Sequence, residues 1–333
     1  MSRRNIYSYI LAFFFVALFF AISSTCARSA GLIEDKQPTW SPDGKRIAFV
    51  SNRLLPENAP EGSSNIWVAD ADGSNLQQIT YQGANQFPSW SPDGKKIIFQ
   101  SGKSIWLVEI STKQFTQLTS GDRGWYTPDW HPKDIGKVIC SYQTQISSDN
   151  DLAVINPLTI LTRESGAQTV RDRYGDDNMP RWSKDGTKIA FIGKTSDLST
   201  GTDNFYLMTI SADGTTLKTH CKLDKPSGRP SWFYSGDSVV LDNGVVCDLA
   251  TGKTHDLFED KISDPDLSPD GRMVAYSQTV DDGGNFIFTR KLSGEDKKQI
   301  TTVPPEPVKP AEPAKPAEPS VKDQPEPAVK DAK

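Results

Sequence analysis

The chain has 333 residues and a formal charge of -5, with a pI near 5.4. That balance argues against a nucleic-acid partner, which needs a basic surface. Its 24 Gly and 23 Pro, with scarce Ala-Leu-Glu runs, exclude a helical bundle and point to an all-β chain rich in turns.

In chain order, the first element is a targeting segment. Arg3 and Arg4 precede an almost wholly apolar run from Ile6 to Ile22, followed by Ser23, Ser24, Thr25 and Ala27. Basic, apolar, then small is the order of a signal peptide, expected over residues 1–27 with cleavage after Ala27. The alternative is a retained membrane anchor, because the run falls between typical signal and spanning lengths. Cys26 is a candidate lipid-attachment site, although Ser23-Ser24-Thr25 lacks the usual leucine.

A repeat follows. Trp40-Ser-Pro-Asp-Gly44 recurs as Trp90-Ser-Pro-Asp-Gly94, Trp182-Ser-Lys-Asp-Gly186, Trp232-Phe-Tyr-Ser-Gly236 and Leu267-Ser-Pro-Asp-Gly271. A further copy, Trp130-His-Pro-Lys-Asp134, reaches its glycine late, at Gly136. Two residues before each anchor stands a proline: Pro38, Pro88, Pro128, Pro180, Pro230 and Pro265. After each anchor come two apolar, β-branched or aromatic runs that read as strands, such as Ile47-Ala-Phe49 and Ile66-Trp-Val68. A short closing strand often completes the unit, as at Gln78-Ile-Thr80. Units of roughly 35 to 52 residues with four short strands have the length and strand count of a propeller blade. The expected fold is therefore all-β, a six-bladed β-propeller of four-stranded antiparallel blades over residues 31–303. Pro-Asp-Gly supplies a preset φ, a side-chain acceptor and a residue tolerant of positive φ, so the first turn of each blade is short.

Cys140 occupies the slot that Phe49, Phe99 and Phe191 fill elsewhere and reads as a small buried hydrophobe. Cys221 and Cys247 fall in consecutive blades, and whether they pair is left open by the sequence. From Pro304 to Lys333 the chain is Pro, Lys and Glu with no aromatic residue, so it cannot build a core. Polyproline II is expected there, and 30 such residues reach on the order of 90 Å. The tail reads as a spacer or docking strand, or as a solubilising tail.

The PxWSPDGxxIAF…IWVxDxDG…xxIT pattern resembles the propeller repeat of TolB, over about residues 37–303. TolB is the periplasmic component of the Tol-Pal envelope system, so the resemblance implies an exported, non-enzymatic scaffold that binds an envelope protein or peptide. TolB carries an α/β domain ahead of its propeller, whereas here the repeats start almost at the leader. Related repeats occur in peptidase propellers and oligogalacturonate-lyase-like enzymes, which keeps open an enzyme acting on a carbohydrate or peptide in the channel. A sensor module for a small ligand is a third possibility.

The chemistry-bearing residues favour binding. His131, His220 and His255 fall in different blades at different repeat positions, so no metal and no cofactor is expected. There is no G-x-S-x-G elbow, and Asp70-Ala-Asp72-Gly73 reads as a strand turn rather than a calcium loop. Asp129, Asp177 and Asp264 are the carboxylates that catalysis in the channel would use. Antiparallel blades place the short turns on one face. The long, irregular segments 51–65, 120–127, 142–151, 171–179 and 193–204 fall on the other, where binding residues usually sit. There Arg123, Trp125, Tyr126, Arg173, Tyr174, Asp176, Asp177 and Arg229 stand just before the innermost strands and are the expected partner-binding cluster. A monomer is expected.

Overall fold

The computed structural model describes residues 32–56, 58–120, 124–143, 150–156, 168–171, 176–197 and 199–303. The segment expected to be a signal peptide, Cys26 and the tail from Pro304 lie outside them, and among the described residues no helix is long and apolar enough to cross a membrane. Twenty-four strands form six four-stranded antiparallel sheets.

Blade 1 is β1 (Asp35–Trp40), β2 (Arg46–Ser51), β3 (Asn65–Asp70) and β4 (Gln77–Gln78); blade 2 is β5 (Asn85–Trp90), β6 (Lys96–Ser101), β7 (Ser104–Glu109) and β8 (Phe115–Gln117). Blade 3 is β9 (Trp125–Trp130), β10 (Val138–Gln143), β11 (Asn150–Ile155) and β12 (Gln168–Arg171); blade 4 is β13 (Asp177–Trp182), β14 (Lys188–Asp197), β15 (Thr202–Ser211) and β16 (Leu217–Leu223). Blade 5 is β17 (Ser231–Trp232), β18 (Ser238–Val240), β19 (Val245–Asp248) and β20 (Thr254–Asp256); blade 6 is β21 (Ser263–Leu267), β22 (Met273–Thr279), β23 (Asn285–Lys291) and β24 (Lys298–Gln299). Each first strand touches the first strands of both neighbours, and β1 meets β21, so the ring is closed.

The anchor turn is built by its own side chains. Ser41 Oγ donates to Asp43 Oδ1 at 2.6 Å, the Arg46 N–H donates to Ser41 Oγ at 2.9 Å, and the Lys45 N–H donates to Asp43 at 3.1 Å. Gly44 completes it at φ 68, a left-handed conformation that a Cβ disfavours. Ser91-Asp93, Ser183-Asp185 and Ser268-Asp270 repeat the arrangement. In blade 3 His131 takes the serine's place, and its Nδ1 accepts from the N–H groups of Lys133 and Asp134.

The core lies between sheets. Ala48, Val50, Ile66 and Val68 of blade 1 pack on Trp90, Ile97 and Phe99 of blade 2, and the same stacking recurs around the ring. The five anchor tryptophans are each 8% exposed or less. Burying such a side chain is worth up to ~5 kcal/mol by area. Cys140 is buried in its phenylalanine slot, and burial pushes its thiol pKa up.

First and last blades meet without exchanging a strand. Trp40, Phe49 and Trp67 pack on Ala275, Ile287 and Ile300. The Asn285 N–H donates to Ile33 O at 2.8 Å, and Arg53, ion-paired with buried Asp35, donates to Thr302 O. A Cβ on Gly73 would lie 2.7 Å from Ile300 O, so this seam needs glycine there.

One feature departs from the sequence reading, and one that it left open is decided. The segment 193–204 is not an irregular loop but largely strand, because β14 and β15 continue their pairing to Asp197↔Thr202. Cys221 on β16 and Cys247 on β19 form a disulfide between blades 4 and 5, with Cα atoms 6.7 Å apart. Its 26-residue separation predicts a loss of about 3 kcal/mol in Cys221→Ser/Cys247→Ser, measured by denaturant unfolding. Thiol titration of the denatured propeller without its leader should find Cys140 alone before reduction, and all three cysteines after it.

Candidate functional site

Five of the six inner strands have the same local problem, since each contains a proline that cannot donate to the ladder. The pairing shifts at that point, as between Lys36 and Thr39 opposite Val50 and Ala48. The residue before the proline takes a left-handed conformation in five blades: Gln37, Phe87, Thr127, Met179 and Asp264 have φ of 49–58°. Such backbone costs about 1–2 kcal/mol per non-glycine residue and is held by local bonds. The Gln37 N–H donates to Asp264 Oδ2 at 3.2 Å, the Phe87 N–H to Gln37 Oε1 at 2.8 Å, and the Thr127 N–H to Gln100 Oε1 at 3.1 Å.

The bulge turns the residue before each anchor toward the next blade. These residues are Thr39, Ser89, Asp129, Arg181, Ser231 and Asp266. Trp130 N–H donates to Ser89 Oγ (3.0 Å), Trp182 N–H to Asp129 Oδ2 (2.8 Å), Leu267 N–H to Ser231 Oγ (3.1 Å) and Trp40 N–H to Asp266 Oδ2 (2.9 Å). Arg181 reaches both acids, with Nη2 2.7 Å from Asp266 Oδ1 and Nε 3.4 Å from Asp129 Oδ1. Burial pulls the Asp266 carboxyl up, but Arg181, Lys184 and the Trp40 N–H outweigh it and hold its pKa below the ordinary value. One step further, Arg229 of blade 5 crosses to blades 2 and 3 and donates to Pro88 O at 2.8 Å and to Pro128 O. Burial first, and then Arg181, push its pKa down. These side chains fill the waist of the channel.

On the short-turn side of the waist the channel opens into a funnel of about 220 Å³. Its floor includes Asp129, Arg181 and Asp266, and its wall is Trp40, Trp90, Trp130 and Trp182. Its rim is the second residue after each anchor: Pro42, Pro92, Pro132, Lys184, Tyr234 and Pro269. Lys184 Nζ donates to Leu267 O at 2.8 Å, reaching inward from blade 4 to blade 6. Tyr234 is 67% exposed. A second cleft, of about 690 Å³, shares Trp40, Pro42, Tyr234 and Pro269 with the funnel and runs outward between blades 1 and 6 past Asp43 and Arg272.

The residues expected on the long-loop face are distributed differently. Trp125 is a core residue, 2% exposed, stacked on Tyr142 with ring centroids 5.3 Å apart. Asp177 is buried opposite Gly193, and Arg229 is the cross-channel brace. Tyr126 is half-buried against Gly124. Asp176 Oδ1 accepts from both the N–H and the side-chain amide of Asn150, at 3.0 and 2.9 Å. Arg123, Arg173 and Tyr174 lie outside the described residues. Asp129 is paired within the waist, Asp264 is half-buried and accepts from Gln37 and Ser277, and Asp177 is buried in blade 4. Burial pushes the Asp264 pKa up. Among the described residues no group of His, Cys, Asp and Glu is arranged to hold a metal ion.

Sequence reasoning missed the funnel. Its signal was present in the two units whose turns replace proline, with Lys184 and Tyr234, and in the charged residues directly before the anchors.

Arg181→Ala strands two buried carboxylates and should cost about 3–5 kcal/mol at neutral pH by denaturant unfolding. The wild-type Asp266 pKa is depressed, so its stabilisation is present above the unfolded value near 4 and fades as pH falls through the lower folded value. Without Arg181 the acids take up protons at higher pH, so the deficit of the variant should narrow as pH falls toward ~4.

The TolB beta propeller domain model matches residues 25–159. A search of curated protein sequences finds no match. Among solved structures, TolB from Acinetobacter baumannii is 20% identical with TM-score 0.58, over 76% of this chain and 63% of that one. A putative TolB from Agrobacterium tumefaciens is 11% identical with TM-score 0.56, over 68% of this chain and 84% of that one. A puromycin-hydrolyzing peptidase of Mycobacterium tuberculosis is 10% identical with TM-score 0.56, over 81% of this chain and 52% of that one. The chain thus spans less than two thirds of the Acinetobacter protein, and likeness at these identities speaks to the fold. The chain is thus a six-bladed β-propeller whose repeat recurs in every blade and is matched by the TolB beta propeller domain model over residues 25–159.

Proposed function

We propose that the protein is an exported, non-enzymatic propeller that binds a protein or peptide partner in the cell envelope, and that the partner docks on the short-turn face. The observation that carries this reading is the funnel with its adjoining cleft, an aromatic and proline surface open to solvent above a packed waist. Aromatic and arginine side chains are the groups that dominate binding energies at interfaces. Tyr234 and Arg272 stand exposed at this mouth, whereas Trp125, Asp177 and Arg229 are committed to packing. Export is supported by the leader-like start, and an envelope partner by the TolB-type repeat.

The test is a pull-down from envelope extract with the wild type, Tyr234→Ala/Arg272→Ala and Tyr126→Ala in parallel. The exposed pair should lose the retained partner by 10-fold or more, about 1–3 kcal/mol, with an unchanged melting temperature. Retention by that pair together with loss in Tyr126→Ala would move the docking surface to the long-loop face.

A further inference from the structure

The charge of the funnel is not balanced from within. Arg181, Lys184 and Arg229 meet in the waist and floor with Asp129 and Asp266. Both carboxylates are already engaged by Arg181 and by the N–H groups of Trp40 and Trp182. Among the described residues Lys184 has no ion-pair partner, and one carbonyl, Leu267 O, accepts from its ammonium. An ammonium carries three N–H donors, so two remain for a ligand. Burial, and the proximity of Arg181, pull the Lys184 pKa down, as expected where an anion is wanting. Lys133 adds a further positive charge to the lining.

Shape narrows the choice of anion. The waist is packed by Arg181 and Arg229, so nothing threads the channel. A dead-ended space of about 220 Å³ with a tryptophan and proline wall admits a chain end with its side chain. The rest of that chain has one marked way out, the cleft of about 690 Å³ between blades 1 and 6, whose residues Trp40, Pro42, Tyr234 and Pro269 are shared with the funnel.

We infer that the funnel captures the free C-terminal end of a peptide, its α-carboxylate on Lys184 and its preceding residues in the cleft past Tyr234. This rests on the binding reading above and specifies the end of the partner that is recognised. Complementarity to one negative charge supplies orientation, and the apolar wall supplies contact area.

The experiment uses two pools of N-terminally fluorescein-labelled pentapeptides, randomised at the last three positions, one as free acids and one as C-terminal amides. Binding to the full chain is read by anisotropy and by quenching of the funnel tryptophans. The free-acid pool should bind at least 10-fold more tightly, and Lys184→Met should weaken it by on the order of 10- to 100-fold and erase the difference. Equal binding of the pools, binding of neither, or a preference for amides ending in Asp or Glu would each overturn the inference. The acid-to-amide comparison on the wild type stands even if Lys184→Met fails to fold. If the envelope partner that depends on Tyr234 is retained by Lys184→Met while the peptides show no acid preference, carboxylate capture fails and the binding reading survives.

Discussion

Closing six sheets into a ring leaves six inner edges, each with backbone donors and acceptors that no strand pairs. The propeller meets that constraint with side chains from the adjacent blade. Trp40 shows the full device: its N–H donates to the Asp266 carboxylate, and its indole Nε1 donates to Asp266 O at 3.1 Å. Trp90 and Trp232 place their indole N–H groups on Thr39 O and Arg181 O in the same way, at 3.1 and 3.0 Å. A buried polar group without a partner costs about 1–3 kcal/mol. A residue before the anchor that can accept from the next blade is therefore as much a part of the repeat as the tryptophan.

Blade 4 departs from that rule, and the waist follows from the departure. The Arg181 side chain has no acceptor to offer the Trp232 backbone N–H, and it bridges Asp129 and Asp266 across the ring instead. Trp182, the anchor of the same blade, leaves its Nε1 without a partner among the described residues and carries the His131 ring at 4.6 Å. The departure thus turns a round of neutral bonds into a charged plug. Among the described residues it sets Arg181 and Arg229 across the channel.

The fold was legible because its signals are local and repeated. The Pro-x-Trp spacing, the Ser-Pro-Asp-Gly turns and the apolar runs each specify a strand or turn, and six copies fix the blade number. The disulfide was not legible, since it depends on the 6.7 Å separation of two Cα atoms in different blades. The site was only partly legible for a related reason. Arg229 and Trp125 have the residue types of binding hot spots, and sequence shows type and order but not burial. Asp129 does lie at the channel axis, yet it meets Ser89 from 40 residues away, and Arg181 beside it meets Asp266 from 85 residues away. The long 193–204 segment looked like a loop because Lys194, Thr195 and Ser196 lack apolar alternation. Continued backbone pairing to Asp197↔Thr202 carries the hairpin there.

The cleft lies at the one seam where the first and last blades meet. Blade 6 takes all four strands from the end of the propeller, so no shared strand binds it to blade 1. Side-chain packing, the Asn285–Ile33 bond and the Arg53 contacts hold the seam on the long-loop side and in the core. On the short-turn side the cleft itself separates Pro42 and Asp43 from Pro269 and Asp270. A ligand seated there touches both ends of the ring and has no equivalent site in an opened one. Such a ligand would stabilise the closed ring by mass action, the more so the more tightly it binds.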